Sequence, residues 1–386
     1  MLIKEINNLV TNNTTKYKKR VLNYILIETV VEVKALDSWY KLRVAGVRDS
    51  IVIKLMNLCE EFEEIFLHDR LFYSKVMRFK DEDIDKILNS YKINLDFYRE
   101  KMLDLNIETI SIKEREYPLY LKNISHPPVF LYIKGKMTFY DKNIGVVGTR
   151  KMTDYGESAC KGLVGDLVGA GVTITSGLAI GVDVTAHKRA LNLGGNTIAV
   201  VGSGLDVIYP PENKYEWERI AKEGTLISEY PLGTPPDRYN FPRRNRIIVG
   251  LTRGVTVIES YEKGGSLITA KLALEEDRDV FVIPGFPNYL SFEGNNNLIK
   301  DSYGKLITSG KDILDEYGWD GEDKINISID IDAEEKKVYS VLVVEKSLDE
   351  LMIETNIPIG KLLGLLTNLE LKKLVRAIAG GKYRRI

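Results

Sequence analysis

Three arginines lie close together in the segment 241–250, where a helix is predicted to begin near Pro242. Arg243, Arg244 and Arg246 would then lie beside the positive end of the helix dipole. Each exposed cation there is unfavourable by roughly 0.3–1 kcal/mol, whereas a bound phosphate would reverse the sign of the interaction. The cluster therefore predicts a phosphate-binding site. A solvated basic turn remains the alternative.

Glycine-rich or cationic loops that suit phosphate follow several other predicted strands. Arg150, for example, follows Gly148 and Thr149, which offer a backbone amide and a hydroxyl. Each loop alone is a weak signal, because Tyr209 could pack beneath its loop and a Gly-Gly turn at 264–265 could be structural. Together they predict a long groove. The predicted DNA-binding residues are Gly148, Thr149, Arg150, Ser176, Gly177, Asn213, Lys214, Arg243, Arg244, Asn245, Arg246, Gly264, Gly265 and Ser266.

Asp183 and His187 are spaced by one helical turn and could face each other. General acid–base catalysis or metal binding would be possible for such a pair, but neither a third ligand nor a nucleophile lies nearby in the sequence. Asp183 is also well placed to cap the helix, which favours a structural role. We predict no catalytic residue and no metal site.

The loop after the first predicted strand, at 148–150, does not follow the GxGxxG pattern of dinucleotide-binding sites. The second predicted strand ends at Thr175-Ser176-Gly177, without the acid that would bind a ribose. NAD binding is therefore disfavoured, and we predict no cofactor.

Composition restricts the class of protein. The 386 residues carry a formal net charge of −1, with 44% hydrophobic and 28% charged residues, which excludes a globally basic polymer binder and places any nucleic-acid site locally. Cys59, Cys160 and the three histidines offer no zinc cluster or disulfide framework. The sequence has neither a signal-peptide pattern nor an apolar run of transmembrane length, so we expect a cytoplasmic protein with no membrane partner.

Six short β-branched runs alternate with helix-like stretches between residues 143 and 310. They are 144–147, 172–175, 197–201, 225–228, 255–259 and 280–283. This alternation predicts a doubly wound parallel α/β sheet, in which ligands bind at the carboxyl ends of the strands. A groove along several strand ends suits consecutive phosphates of single-stranded nucleic acid better than one mononucleotide.

Changes in composition divide the chain into four parts. Residues 1–105 are predicted to form an α-helical domain, and 106–319 an extended Rossmann domain that includes a lead-in strand. An acidic linker, 320–332, precedes residues 333–386, where helix-start signals at Ser347 and Pro358 are followed by a basic glycine hairpin. This last part is predicted to be a winged helix.

Residues 109–386 resemble the DprA/Smf family of bacterial DNA-processing proteins. The resemblance rests on GTR at 148–150, SGLAIGVD at 176–183, GSG at 202–204, FPRRNRII at 241–248, GSLITA at 265–270, DVFVIPG at 279–285 and NLI at 297–299. The tail also resembles the winged helix of that family. Residues 1–105 lack an obvious glycine-containing helix-hairpin-helix turn, which indicates a divergent first domain.

The resemblance implies an extended Rossmann core that binds single-stranded DNA, dimerises and helps to load a RecA-type recombinase during natural transformation. Family members protect incoming DNA in competent cells and are not known as catalysts. The residues carried over as DNA contacts are Arg150, Lys214, Arg243, Arg244, Asn245 and Arg246, with the backbone near Gly148, Gly264 and Gly265.

Two other functions remain open. Nucleotide phosphoribohydrolases of the lysine-decarboxylase-like type have related folds and a P-G-G-x-G-T-x-x-E signature. This chain has GGSLITAK at 264–271, with Lys271 close to where the acid would fall, and Glu259 would be the acid to test. A sequence-specific regulator is disfavoured, because the predicted recognition helix, 358–366, has Lys361 as its one cation.

Overall fold

The computed structural model of the protein describes residues 38–136, 139–319, 332–342, 346–372, 374–378 and 381–385. These residues belong to two compact units, one within Met1–Lys324 and one within Ile325–Ile386. The first 37 residues of the predicted α-helical domain, and the predicted linker up to residue 331, lie outside the described residues. No helix in the described part of the chain is both long and apolar enough to cross a bilayer.

A nine-stranded sheet forms the centre of the first unit. Its strands are β1 (Ile107–Ser111), β2 (Phe130–Gly135), β3 (Asn143–Val147), β4 (Thr173–Ser176), β5 (Thr197–Val200), β6 (Thr225–Ser228), β7 (Gly254–Val257), β8 (Asp279–Val282) and β9 (Lys305–Leu306). Their order is β1-β2-β6-β5-β4-β3-β7-β8-β9. The strands from β3 to β9 pair in parallel, and β2 pairs antiparallel with β1 and with β6.

The strand order reverses between β3 and β7. From β3 the chain builds one half of the sheet through β4, β5 and β6, and then returns to the other side of β3 with β7. Such a reversal opens a crevice at the carboxyl ends of the two strands, where doubly wound proteins bind their ligands. The predicted doubly wound α/β sheet is confirmed, and it places the loops after β3 and β7 side by side.

Twelve α-helices accompany this sheet in the described residues of the first unit. They are α1 (Tyr40–Val44), α2 (Asp49–Leu58), α3 (Asp81–Asn89), α4 (Asp96–Asp104), α5 (Leu119–Lys122), α6 (Asp154–Gly169), α7 (Val182–Asn192), α8 (Lys214–Glu223), α9 (Asn240–Leu251), α10 (Gly265–Glu275), α11 (Glu293–Lys300) and α12 (Lys311–Tyr317). Short 3-10 segments at Phe62–Leu67, Ser90–Lys92, Pro211–Asn213 and Leu290–Phe292 and a π-helix at Phe72–Val76 complete the unit.

Helices cover both faces of the sheet, as the alternation of side chains along a strand requires. Ile144 and Val146 of β3 pack in one buried cluster with α6, α7 and α12. Val147, the next residue along, packs in another cluster with α9 and α10. The central strands are therefore buried on both sides, which explains their nearly continuous apolar sequences.

The helices α1–α4 share a hydrophobic core with one end of the sheet. The Tyr40 hydroxyl hydrogen-bonds to that of Tyr132 on β2, and the Arg43 guanidinium donates to the Glu229 carbonyl at 2.7 Å, just beyond β6. Lys101 of α4 pairs with Asp206 at 2.8 Å, in the loop after β5. Three segments of this sheet are thus held by the helices that precede it.

The second unit is a small winged helix. Helices α13 (Ala333–Val341), α14 (Leu348–Thr355) and α15 (Ile359–Leu371) accompany a three-stranded sheet of β10 (Lys346–Ser347), β12 (Lys382–Arg385) and β11 (Val375–Ile378), in that order. Ser347 and Glu350 form the predicted capping box, in which the Glu350 carboxylate accepts from the Ser347 amide at 2.7 Å. The predicted winged helix is confirmed.

Candidate nucleic-acid interface

A groove of about 630 Å³ lies at the carboxyl ends of the parallel strands. Its floor and walls come from the loops after β3, β4, β5, β6 and β7 and from the start of α9 and α10. Eight of the predicted residues line it: Gly148, Thr149, Arg150, Arg244, Asn245, Gly264, Gly265 and Ser266. The reversal of strand order therefore brings together residues that are more than a hundred positions apart in sequence.

The loop after β3 presents Arg150 to solvent. The Thr149 amide donates to the Glu259 carbonyl at 2.7 Å, and the Thr149 carbonyl accepts from Val182 at 3.2 Å. Gly148 must lack a side chain, because a Cβ there would lie 2.5 Å from a methyl group of Val182. Within the described part of the chain, the exposed Arg150 guanidinium forms no ion pair. Its neighbours thus fix its backbone while its charge remains available.

The loop after β4 is stabilised by Asp183. One carboxylate oxygen of Asp183 accepts from the amides of Gly177 and Ala179, at 3.1 and 3.4 Å. Burial raises the pKa of Asp183, and the nearby Arg244 guanidinium acts in the opposite direction. The Ser176 hydroxyl is also used internally, since it donates to the Val146 carbonyl at 2.6 Å. Asp183 therefore has a structural role, as the sequence favoured, but it holds the loop before α7 instead of capping the helix.

His187 does not form a pair with Asp183. Its Nδ1 lies 2.6 Å from the Thr197 hydroxyl, which itself donates to the Ile174 carbonyl at 2.8 Å. Because that hydroxyl proton is already used, Nδ1 must carry the proton and donate to the Thr197 oxygen. Burial lowers the pKa of His187 to about 3, so the ring is neutral and structural.

The arginine cluster lies on α9, which begins at Asn240, two residues before the predicted start. Arg244 is buried at the base of the groove and donates to the Val200 carbonyl at 2.7 Å. Burial lowers the pKa of Arg244 to about 10, and Asp183 opposes that shift. Gly177 makes room for this guanidinium, because a Cβ there would lie 1.8 Å from one of its nitrogens.

The other two arginines lie outside the groove lining. Arg246 is largely buried and forms a salt bridge with Glu229, which is itself 2% exposed. Arg243 is exposed and is not among the groove-lining residues, whereas Arg238, two positions before the start of α9, is one of them. Arg238 was not predicted, because it precedes the helical turn that carries the arginine cluster.

Four further predicted residues also lie outside the groove lining. Asn213 is buried, and its amide nitrogen donates to the Leu178 carbonyl at 2.9 Å. Lys214, at the first position of α8, is exposed and lies 3.8 Å from Glu218. Gly177 borders a smaller adjoining cavity of about 50 Å³ rather than the groove itself. Ser176, described above, is the fourth of these residues that do not line the groove.

The β7 side of the groove is formed by the first turn of α10. Gly265 and Ser266 lie in that turn, where the first amides of a helix have no partner within the helix. The Ser266 hydroxyl donates to the Ser260 hydroxyl at 2.7 Å, which fixes the turn against the loop after β7. An anion in the groove would therefore meet the positive end of this helix.

Glu259 lies beneath the groove and is completely buried. One of its carboxylate oxygens accepts from the amide and the hydroxyl of Thr153, at 2.9 and 3.0 Å. Its side chain therefore anchors the start of α6, immediately after the Arg150 loop. In the described residues there is no cluster of histidine, cysteine and acidic side chains that could hold a metal ion.

Comparison with known proteins identifies the family. The family model described as DNA recombination-mediator protein A matches residues 108–318, and the DprA winged-helix domain matches residues 330–381. The chain is 43% identical over 223 residues to DNA processing protein DprA of Bacillus subtilis, covering 57% of this chain and 73% of that protein. It is 36% identical over 294 residues to DprA of Streptococcus pneumoniae, covering 72% and 96%.

Two solved structures of DprA proteins are also similar. The X-ray structure of DprA from Streptococcus pneumoniae has a TM-score of 0.63 at 35% identity, covering 73% of this chain and 98% of that one. A structure of DprA from Helicobacter pylori, which concerns its mode of binding single-stranded DNA, has a TM-score of 0.51 at 28% identity, covering 56% and 97%. Together with the domain matches, these similarities place the chain in the DprA/Smf family of DNA-processing proteins.

Proposed function

We propose that this protein binds single-stranded DNA in the groove and promotes loading of a RecA-type recombinase onto DNA that enters during natural transformation. In this proposal it acts as a homodimer in the cytoplasm and protects the incoming strand. The observation that carries the binding step is that Arg150 and the first turn of α10, which follow the two strands where the strand order reverses, line the same groove. A guanidinium and unpaired helix amides would then meet the same phosphate backbone.

The groove supports binding better than catalysis. Asp183 is the one acid among the groove-lining residues, and it already accepts from two backbone amides. Glu259, the acid that a phosphoribohydrolase would need, is buried and accepts two hydrogen bonds from Thr153. Both carboxylates therefore hold loops in place. We infer a mediator that contacts DNA without chemical change.

A salt series tests the binding step. Fluorescence anisotropy should show tighter binding of a labelled oligothymidylate than of a duplex of equal length, with affinity falling as salt rises. Arg150→Ala should reduce the slope of log K against log salt by about 0.7, the value for one phosphate on a single strand. Arg70→Ala is the control, because Arg70 is not among the groove-lining residues and pairs with Asp81 and Asp85 of α3.

The mediator step needs a separate measurement. The rate at which a RecA-type protein assembles on single-stranded DNA should rise when this protein is present, and the Arg150→Ala variant should give a smaller rise. Equal binding to single-stranded and duplex DNA would contradict the binding proposal. Tight single-strand binding without any change in the assembly rate would contradict the mediator role alone.

A further inference from the structure

Three exposed aromatic side chains form a cluster beyond the β7 side of the groove. Tyr155 lies in the first turn of α6, and Phe286 and Tyr289 lie in the loop after β8; they are 41%, 61% and 50% exposed. The ring centroids of Tyr155 and Phe286 are 6.3 Å apart, and those of Phe286 and Tyr289 are 5.4 Å apart. We call Tyr155, Phe286 and Tyr289 the aromatic ledge.

The ledge is built on a buried support. Phe292, which is fully buried, packs against Tyr155 with a centroid distance of 5.3 Å. Gly285 makes this possible, because a Cβ at that position would lie 2.0 Å from the Phe292 ring. The Tyr155 hydroxyl donates to the Pro284 carbonyl at 2.9 Å, which joins α6 to the loop after β8. The rings are therefore held at the surface by the packing beneath them.

The ledge is continuous with the groove. Gly294, two residues after Phe292, donates its amide to the Ser260 carbonyl at 3.0 Å, and a Cβ on Gly294 would lie 2.6 Å from the Tyr261 carbonyl oxygen. Ser260 and Tyr261 both line the groove. On the other side, Tyr155 follows directly from the α6 start that Glu259 anchors. Segments on both sides of the ledge thus contact the loop after β7, which forms one side of the groove.

We propose that the aromatic ledge is a second subsite, on which bases of a single DNA strand stack as the strand leaves the groove. This inference rests on the proposed function. Unpaired bases stack on exposed aromatic rings with little sequence preference, whereas the bases of a duplex are already stacked and paired. A cluster of exposed rings normally marks a binding surface. Its direct continuity with the groove favours the emerging strand over a protein partner.

The length dependence of binding tests the ledge. Oligothymidylates from about 4 to about 16 nucleotides span the usual site sizes of single-strand binding folds. The wild type should bind long oligonucleotides more tightly than the groove alone would allow, by roughly 5- to 150-fold for each stacked base. We call this increase in affinity with oligonucleotide length the length gain. The double variant Phe286→Ala/Tyr289→Ala should lose this gain and keep the affinity for the shortest oligonucleotides that bind.

Matched variants separate stacking from general apolar contact. Phe286→Tyr and Tyr289→Phe keep both rings and should keep the length gain, whereas Phe286→Leu keeps the apolar surface and should lose part of it. Tyr91→Ala is the control, because Tyr91 is an exposed ring in the 3-10 segment Ser90–Lys92, where it packs against Phe66. Melting curves should show that each variant remains folded.

The outcomes distinguish this inference from the proposed function. If Arg150→Ala weakens binding at every length but the ledge variants leave the length gain intact, the ledge proposal is wrong and the groove proposal stands. If the ledge variants instead change self-association or recombinase binding while the length gain persists, the rings serve a protein partner and the proposal is overturned. A wild type that binds no single-stranded DNA would contradict both.

Discussion

Arg244 and Arg246 show how two cations near a helix start can be accommodated inside the protein. The local sequence predicts an external phosphate, because cations oppose the helix dipole, with a solvated basic turn as the alternative. The structure supplies internal acids instead: Asp183 lies near Arg244, and Glu229 pairs with Arg246. These acids come from distant segments, so their proximity to α9 could not be read from the local sequence. Of the arginines near the groove, Arg150 and Arg238 are exposed within its lining, and Arg243 is exposed outside it.

Removing Arg246 should destabilise the protein more than removing a surface arginine. Arg246→Ala leaves the Glu229 carboxylate buried without its cation, for which a loss of about 3–5 kcal/mol is typical. Urea denaturation would measure this loss. Arg70→Ala, which breaks only exposed pairs, should change the free energy of unfolding by at most about 1 kcal/mol. Equal effects of the two substitutions would contradict a structural role for Arg246.

Because His187 is buried, the free energy of unfolding should depend on pH below 6.5, the ordinary pKa of a histidine. In the folded state burial lowers the pKa of His187 from 6.5 to about 3, whereas the unfolded chain takes up a proton near pH 6.5. The unfolded state therefore binds more protons in this window, and stability falls as pH decreases from 6.5 towards 3. The slope from this one group approaches about 1.4 kcal/mol per pH unit.

A His187→Gln variant isolates that contribution. Urea unfolding at several pH values between 7.5 and 5 should give a shallower loss of stability for the variant than for the wild type. Carboxylates that titrate at lower pH are common to both proteins and cancel in the comparison. Identical slopes would mean that the imidazole is not kept neutral by burial.

At the scale of elements, the β-branched runs predicted the six central strands well. The runs 144–147, 197–201 and 280–283, for example, overlap β3, β5 and β8 closely. Buried parallel strands have few alternatives, because both faces must be apolar. The start of α9 was predicted two residues late. The rotation of α9 about its own axis decides which of its arginines lines the groove. That rotation depends on packing against the sheet, which local sequence does not encode.

The Arg150 loop depends on Glu259, which lies just after β7. Glu259 accepts from Thr149 through its carbonyl and from Thr153 through its carboxylate, on either side of Arg150. We therefore predict that Glu259→Ala weakens single-stranded DNA binding by loosening this loop. Glu259→Gln keeps an acceptor for Thr153 and should bind nearly as well as the wild type. Anisotropy titrations would measure both.

A double-mutant cycle shows whether Glu259 acts through Arg150. If it does, Glu259→Ala should have little further effect on DNA affinity in an Arg150→Ala background, because the guanidinium that it positions is gone. Additive losses would mean that Glu259 supports the groove in some other way. Melting curves of the single variants separate this effect from a general loss of folding.

On the scale of the whole molecule, the hydrophobic clusters show which parts depend on one another. The cluster that contains α1–α4 also contains Phe130 and Tyr132 of β2 and Leu226 of β6. The winged-helix cluster contains only described residues from Val338 onward. The helices before the sheet thus share its core, whereas the winged helix has a core of its own.

Two truncations should therefore behave differently. A protein ending at residue 319 should keep the melting midpoint of the first unit and the affinity of the groove for single-stranded DNA, because no cluster of that unit uses a described residue of the second. A protein starting at residue 106 should melt at a lower temperature, because it exposes Phe130 and Tyr132 and loses the Arg43 contact to Glu229. Burying one such ring is worth roughly 1.5–3 kcal/mol.

Calorimetry and anisotropy on the same two proteins test this dependence. The shared core predicts that loss of the first helices also weakens DNA binding, since Glu229 pairs with Arg246 on the helix that forms one wall of the groove. If the protein starting at residue 106 melted and bound DNA like the full chain, the helices would be an independent domain. If the protein ending at residue 319 lost the groove's affinity, the winged helix would contribute to the DNA site directly.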